Sequence, residues 1–146
     1  MRIIGLDYGD KTIGVAVSDP FGWTAQGLEI IRRDNPNEYK KSLKRLEEII
    51  KQYEVEKIIL GYPKNMDNSE GLRCEKTKEF KKRLEKRFNI PIILYDERMS
   101  TVAAQRTLIE ANLSRAKRKE VIDKMAAVHI LQGFLDKKWF YLIKLK

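Results

Sequence analysis

The sequence of 146 residues is poor in the side chains that build disulfides and zinc sites, since it contains one cysteine, Cys74, and one histidine, His129. This count excludes an internal disulfide framework and a Cys/His zinc pattern. We expect Cys74 to be half-buried and His129 to be a partly buried helix residue. No run approaches the ~18 consecutive apolar residues of a membrane span, and Gly5, Asp7 and Gly9 interrupt the apolar N-terminal stretch well short of a secretory signal. We therefore expect a cytoplasmic protein with no membrane partner.

Basic residues are in excess, with 30 lysines and arginines against 21 aspartates and glutamates and a formal net charge of +9. Because 42% of the residues are hydrophobic and 35% are charged, the chain is expected to be globular rather than disordered. Its length suits one domain. The positive charge favours an anionic partner, of which nucleic acid is the commonest.

Hydrophobic patterning predicts five strands and four helices. Arg2–Tyr8 and Thr12–Ser18 flank a Gly-Asp-Lys turn and predict a β-hairpin. Asn35 and Pro36 form a helix-start signal, with Asn as the N-cap and Pro as the first helical residue, and the apolar positions of Tyr39–Tyr53 then fall on one helical face. The other predicted elements are the strands Gly27–Arg32, Lys57–Tyr62 and Pro91–Tyr95 and the helices Glu70–Phe88, Ser100–Asn112 and Lys117–Leu135.

The order of these elements, βββαβαβαα, indicates the fold class. Strands joined by short turns pair antiparallel, whereas strands separated by helices need parallel crossovers. We therefore predict an α/β protein with a mixed five-stranded sheet in the order 3-2-1-4-5, its first three strands antiparallel, flanked by helices. This order matches the ribonuclease H-like fold.

Asp7 is the first candidate site residue. It lies at the carboxyl end of the first predicted strand, on the same face as Ile3 and Gly5. A carboxylate on a face built for burial is costly unless it is paired or binds a cation. Gly5 and Gly9 flank it two residues away on either side and are expected to leave open space beside it. The alternative role of Asp7 is to stabilise the hairpin turn.

Asp96 and Glu97 follow the last predicted strand. Open α/β sheets bind ligands beyond the carboxyl ends of their strands, so this is a natural site. Adjacent strand residues point to opposite faces, so we expect only one of the two to reach the Asp7 side. We assign that role to Glu97, with Asp96 beginning the turn that leads to a helix cap at Ser100.

Asp123 lies in the middle of the apolar stripe of the last predicted helix. If that helix begins near Lys117, Asp123 lies beyond the first turn, so N-terminal capping is not its obvious role. Ala126 and Ala127 would let the helix approach the sheet closely. A carboxylate on this packing face either binds a cation or takes part in a helix-dipole or buried ion-pair interaction.

Three carboxylates from two strand ends and a late helix would form an oxygen-rich site that suits Mg²⁺ or Mn²⁺. Two such ions about 4 Å apart can activate a water and stabilise the leaving oxygen in phosphodiester hydrolysis. We therefore predict catalytic and metal-binding roles for Asp7, Glu97 and Asp123, with two ions as the expected number.

Four segments, in order along the chain, resemble the signature motifs of the YqgF (RuvX-like) family. The resemblance runs from about Arg2 to Leu135, and four motifs in the right order are far more specific than any one of them. Tyr62 departs from the residue that many members carry before the proline, which affects the shape of the site's rim rather than its chemistry. The segments are Gly5–Gly9 with Ile13–Asp19, Leu60–Asp67, Asp96–Arg98 with Ser100 and Thr101, and Asp123–Ala127 with Ile130–Gln132.

The resemblance implies a ribonuclease H-like fold related to Holliday-junction resolvases. It also implies a nuclease that processes the 5′ end of precursor 16S ribosomal RNA. Carried over position by position, it makes Asp7, Glu97 and Asp123 the catalytic acids. It places Arg98 beside the scissile phosphate, and Lys64 and Asn65 on the rim of the site.

Two basic clusters could contact a phosphate backbone. One is the charged helix Leu72–Phe88, with eight lysines and arginines against three glutamates; its alternative role is a solvated face held by Glu–Lys pairs four residues apart. The other is Arg115–Lys119, which precedes the helix bearing Asp123 and is favoured because it should lie nearer the catalytic edge. The residues expected to contact nucleic acid are Lys11, Lys64, Asn65, Arg98, Arg115, Lys117 and Arg118.

The leading prediction is a metal-dependent nuclease domain over residues 1–136, acting on precursor ribosomal RNA, followed by a basic, aromatic segment over residues 137–146. Ribosomal particles are a further candidate partner, and a monomer and a homodimer both stay open. One alternative is a resolvase-like DNA endonuclease. A second is a non-catalytic RNA-binding module for ribosome assembly. A third is nucleotide hydrolysis, because Asp7–Gly9 followed by Gly14 also resembles the first phosphate loop of actin-like ATPases and sugar kinases, although those proteins need two such domains.

Overall fold

The structure is a computed structural model, and it describes residues 2–35, 38–62, 71–96 and 124–137. None of the helices in these ranges is both long and apolar enough to cross a membrane. Residues 124–137 are helical throughout and are called α3. The other elements, in chain order, are β1 (Arg2–Tyr8), β2 (Thr12–Ser18), β3 (Ala25–Arg32), α1 (Lys40–Tyr53), β4 (Val55–Tyr62), α2 (Leu72–Arg87) and β5 (Ile92–Asp96).

The five strands form one sheet in the order β3-β2-β1-β4-β5, as predicted. β2 pairs antiparallel with β1 and with β3, because short turns connect these strands. β4 pairs in parallel with β1 and with β5; α1 lies between β3 and β4, and α2 lies between β4 and β5. The carboxyl ends of β1, β4 and β5 therefore meet at one edge of the sheet, which we call the carboxyl edge.

Helices cover both faces of this sheet. Alternate strand residues such as Ile4, Leu6 and Ile58 pack with α1 and α2 in the larger hydrophobic cluster. Their neighbours Ile3 and Ile59 pack with α3 in a second cluster. The two sides are called the α1/α2 face and the α3 face. The apolar face predicted for α1 is confirmed, since its members lie in the larger cluster or pack against it.

Small residues set the distance between α3 and the sheet. A Cβ atom at Gly5 would lie 2.7 Å from Leu131 Cβ and 3.1 Å from the Ala127 carbonyl oxygen. The predicted close approach of this helix is confirmed, and Ala127 is fully buried. The expectation that Gly5 leaves open space beside Asp7 is wrong, because the backbone of α3 occupies that space.

Several predicted boundaries differ from the structure. α1 begins at Lys40, its N-cap is Tyr39, and no side chain caps it. The predicted start at Asn35 is wrong, because Glu38 and Tyr39 still precede the helix and the Glu38 N–H donates to the Asn35 carbonyl at 2.9 Å. Pro36 itself lies outside the described ranges.

The remaining differences are small. β3 and β4 each begin two residues earlier than predicted, and β5 extends to Asp96. At β3 the extra residues are held by α3, since the Ala25 N–H donates to Gln132 Oε1 at 2.9 Å. The described part of the last helix agrees with the prediction and continues through Lys137. The helix predicted over Ser100–Asn112 lies in a part of the chain that is not described.

Candidate active site at the carboxyl edge

Asp7 lies one residue before the end of β1, at the carboxyl edge, and is partly buried. It pairs with Gly14 of β2 in the antiparallel register. Alternation along β1 puts it on the α3 face with Ile3, a member of the α3-face cluster. The predicted position of this carboxylate, at a strand end and on the face that a late helix covers, is confirmed.

α3 crosses this face of the sheet from β3, over β1, to β5. A Cβ at Gly27 would lie 3.6 Å from Lys124 Cβ, and Gly27 is in register with Ala16, the partner of Gly5. Eight residues further along the helix, Gln132 Oε1 accepts a hydrogen bond from the N–H of Ala25, the first residue of β3. Near its end α3 reaches β5, where a Cβ at Gly133 would lie 3.0 Å from Tyr95 Cζ. Asp123, the residue before Lys124, is outside the described ranges.

Asp96 lies on the opposite face from Asp7. Along β5, Ile93 and Tyr95 pack in the α3-face cluster, whereas Ile92 and Leu94 pack against the cluster of the α1/α2 face. By the same alternation Asp96 belongs to the α1/α2 face. This agrees with the prediction that Asp96 does not reach the Asp7 side. Glu97, to which that role was assigned, falls in an undescribed part of the chain.

A buried arginine that the sequence analysis missed holds the turn that follows Asp7. Arg33 is 4% exposed. Its Nη1 donates to Tyr8 Oη at 3.0 Å, and its Nη2 donates to the carbonyl of Asp10 at 2.8 Å and also to that of Gly9. Hydrogen bonds from a charged donor are stronger than neutral ones, so the guanidinium fixes the shape of this turn. An arginine after a strand is ordinarily exposed, and no sequence pattern distinguishes this one.

Aromatic rings surround the Arg33 guanidinium. Its Cζ lies 4.7 Å from the centre of the Tyr8 ring and 5.5 Å from that of Tyr39. Tyr8 stacks on Phe80 of α2 with ring centres 4.3 Å apart, and its hydroxyl lies 3.0 Å from that of Tyr39. Burial, together with the Tyr39 hydrogen bond, raises the pKa of Tyr8 against the opposing effect of Arg33. Tyr8 is therefore uncharged at neutral pH and is held by packing and hydrogen bonds next to the turn that follows Asp7.

Lys11 is the one predicted nucleic-acid contact that the described ranges contain. It is exposed in the turn between β1 and β2, and its carbonyl accepts a hydrogen bond from the Arg33 N–H at 2.7 Å. The other predicted contacts fall outside the described ranges and stay predictions; they are Lys64, Asn65, Arg98, Arg115, Lys117 and Arg118.

The histidine and the cysteine lie in α3 and α2, respectively. His129 is partly buried in α3, as predicted, and burial lowers its pKa. Cys74 is fully buried in α2, so the expectation of a half-buried side chain is wrong. Among the described residues no group of three or more His, Cys, Asp or Glu side chains is arranged to hold a metal ion. Of the three predicted carboxylates, only Asp7 lies in the described ranges.

The sequence model of the RuvX family, described as Holliday junction resolvase, matches residues 1–137. The chain belongs to the RuvX family. It is 59% identical over 139 residues to a protein of Geobacillus sp. (strain WCH70), covering 94% of this chain and 99% of that one. It is 56% identical over 136 residues to a protein of Agathobacter rectalis, covering 93% and 95%. Both relatives carry the name "Putative pre-16S rRNA nuclease".

Solved structures support the fold of this RuvX-family chain. Thermus thermophilus RuvC, in complex with a Holliday junction substrate, superposes with a TM-score of 0.58 at 14% identity, covering 94% of this chain and 96% of that one. The yeast mitochondrial Holliday junction resolvase Ydc2 has a TM-score of 0.51 at 10% identity, covering 95% and 80%. Together with the sheet order, these likenesses confirm the ribonuclease H-like fold.

Proposed function

We propose that this RuvX-family chain is a divalent-metal-dependent nuclease that hydrolyses phosphodiester bonds in the 5′ leader of precursor 16S ribosomal RNA. The observation that carries the proposal is the position of Asp7, a partly buried carboxylate at the carboxyl edge, on the face that α3 covers. Ligands of open α/β sheets bind at this edge. The names of the two relatives, similar over more than nine-tenths of the chain, support the choice of substrate.

The predicted donor set fits a hard divalent cation. Asp7, with Glu97 and Asp123, would hold Mg²⁺ or Mn²⁺ through carboxylate oxygens, and two ions are expected. When bound, such ions supply an activated water and neutralise charge on the leaving oxygen. Three carboxylates brought together without a cation would repel one another. Binding of a divalent cation would relieve this repulsion.

The residues of the chain orient the reaction. Asp7 projects from a strand whose following turn is held by Arg33, so its carboxylate is placed by rigid backbone and not by a free loop. Arg98 is the proposed contact to the scissile phosphate, with Lys64 and Asn65 on the rim. The net charge of +9 attracts the substrate, and Lys11, Arg115, Lys117 and Arg118 are its proposed backbone contacts.

This assignment carries several further proposals. We place the nuclease domain at residues 1–136 and the basic, aromatic segment at residues 137–146. The substrate implies a cytoplasmic protein that meets precursor ribosomal particles, as a monomer or a homodimer.

The decisive experiment compares the wild-type protein with Asp7→Asn on a transcript of precursor 16S RNA, with Mg²⁺, Mn²⁺ or chelator present. The substitution keeps the size of the side chain and removes its charge. We expect cleavage only with metal, and its loss in Asp7→Asn with RNA binding retained. Unchanged cleavage by the variant would contradict the proposal and favour a different catalytic site. Absence of cleavage by the wild-type protein, with RNA binding retained, would favour a non-catalytic RNA-binding module.

A matched pair of variants tests the assignment at the end of β5. Glu97→Gln and Asp96→Asn each remove one carboxylate charge from neighbouring positions. Because Asp96 lies on the α1/α2 face, we expect Glu97→Gln to disable cleavage and Asp96→Asn to have a much smaller effect. The reverse order of effects would move the catalytic role to Asp96.

A DNA junction resolvase is the second candidate function. It is favoured by the description of the family and by the likeness to the RuvC complex with a Holliday junction. Resolvases cut symmetric junctions with two sites, so this function needs a two-fold dimer. Preferred cleavage of a synthetic four-way junction over the RNA transcript, by a stable dimer, would establish it.

A further inference from the structure

Six of the eight basic residues of α2 fall into two groups according to what surrounds them. Phe80, in the middle of the helix, stacks on Tyr8 at the carboxyl edge. The turns before Phe80 lie at that edge, where Arg73 and Lys76 line a small cleft together with Tyr8, Gly9 and Asp10. The first half of α2 is therefore next to the turn that follows Asp7.

A third cation extends this group along the edge. Lys78 Nζ lies 5.8 Å from the centre of the ring of Tyr62, the last residue of β4. Lys76 lies beside the β1–β2 turn, with its Nζ 3.3 Å from Asp10 Oδ1. Arg73, Lys76 and Lys78 are all exposed. They form a basic row from the β1–β2 turn to the end of β4, which we call the α2 ledge.

Three cations in the second half of α2 contact other residues of the two helices or of the segment before α1. Arg83 Cζ lies 3.9 Å from the centre of the Tyr39 ring. Arg87 pairs with Glu47 of α1 at 2.8 Å, and Lys81 pairs with Glu85 at 3.6 Å. The ion pairs in these later turns match the solvated, ion-paired face considered for the whole helix.

We propose that the α2 ledge binds the phosphate backbone of the nucleic-acid strand on the side of the carboxyl edge opposite the Asp7 carboxylate. The inference rests on the proposed function, because it takes Asp7 as the point of cleavage. The ion pair between Lys76 and Asp10 does not prevent it. Both side chains are well exposed, at 45% and 71%, and such surface pairs are weak enough for a phosphate to replace the carboxylate.

The test compares two double variants of the same helix in the full-length Asp7→Asn protein, which keeps the probe intact. Arg73→Gln/Lys76→Gln removes two charges from the ledge, and Lys82→Gln/Lys86→Gln removes two exposed charges from the other half. The probe is a fluorescent, unstructured single-stranded RNA, and binding is followed by anisotropy from 50 to 200 mM salt. Thermal melts followed by circular dichroism check that both variants are folded.

Two lost phosphate contacts should reduce the slope of log K against log salt by about 1.4, since each contact to a single strand contributes about 0.7. We expect this change in the ledge variant, together with weaker binding at 50 mM salt. The Lys82/Lys86 variant should keep the slope of the parent. Equal weakening in both variants would show a general effect of net charge and overturn the ledge. No weakening in either variant, or no RNA binding by the parent, would overturn it too.

A gain of binding gives an independent check. Asp10→Asn removes the carboxylate that competes for Lys76, so RNA should bind more tightly. Glu85→Gln removes the equivalent partner of Lys81 in the second half of the helix and should leave affinity unchanged. Failure of Asp10→Asn to tighten binding would count against the ledge. The proposed function can fail separately. If Asp7→Asn cleaves like the wild type while the ledge variants, measured with chelator to keep the probe intact, still differ in binding, the catalytic assignment is wrong and the binding role of the α2 ledge is supported.

Discussion

Replacing Gly5 by alanine should push α3 away from the sheet. The added methyl group would lie 2.7 Å from Leu131 Cβ, 3.1 Å from the Ala127 carbonyl oxygen and 3.4 Å from Leu131 Cα. Two of these three atoms belong to helix backbone, and the third is attached directly to it. No side-chain rotation can relieve the contact, so the helix itself has to move.

The cost follows from this geometry. Overpacking a well-filled interior by one methyl group destabilises a protein by about 1–3 kcal/mol. Alanine also restricts the unfolded chain, which returns about 0.4–1 kcal/mol. We therefore expect a net loss of about 1–2 kcal/mol in the free energy of unfolding. For a chain of this size that lowers the melting temperature by about 2–8 °C.

Gly27→Ala is the matched control, because Gly27 lies in the same row of the sheet and also faces α3. Its Cβ would make ordinary contacts, 3.6 Å from Lys124 Cβ and 3.7 Å from Val128 Cγ2. We expect this variant to be as stable as the wild type or slightly more stable. Urea denaturation of both variants measures the difference. Equal stability of Gly5→Ala and Gly27→Ala would refute the argument that α3 is seated directly on Gly5.

Two further predictions concern α3. A Cβ at Gly133 would crowd Tyr95, whose Cζ would lie 3.0 Å away. Gly133→Ala should therefore destabilise the protein. The loss should be smaller in a Tyr95→Phe background, because that substitution removes the crowded hydroxyl. A double-mutant cycle in urea measures the coupling, and strictly additive effects would contradict the contact. Burial lowers the pKa of His129 below its ordinary 6.5, so this side chain binds a proton more readily in the unfolded chain than in the folded protein. The free energy of unfolding should therefore fall as the pH drops below about 6.5. Comparing the pH dependence of the urea midpoint with that of His129→Gln isolates this effect, and identical profiles would show that His129 does not cause it.

Much of the fold could be predicted because local patterns encode it. Short turns between β-branched segments make the first three strands antiparallel, and long helical connections make β4 and β5 parallel. The start of α1 could not be predicted, because the helix begins at Lys40 in spite of the Asn-Pro signal and the Asn35 carbonyl bonds to the Glu38 N–H, ahead of the helix.

The candidate site was predictable in part. Strand alternation placed Asp7 on the α3 face and Asp96 on the other, as the packing of their neighbours shows. The role of Arg33 was not predictable, because its acceptors are carbonyls of residues 23 and 24 positions away. Arginine is among the residues that are rarely buried, so its sequence context gave no reason to look for it.

The sequence by itself determined the order of the elements, the direction in which neighbouring strands pair and the face on which each strand residue lies. The elements and the faces follow from periods of 3.6 and two residues, and the direction of pairing follows from the lengths of the connections. Only the tertiary structure decided that Gly5 meets the backbone of α3 and that the first half of α2 borders the Asp7 turn while its second half pairs with α1. These features depend on distances between segments far apart in the chain, and local periodicity carries no information about such distances.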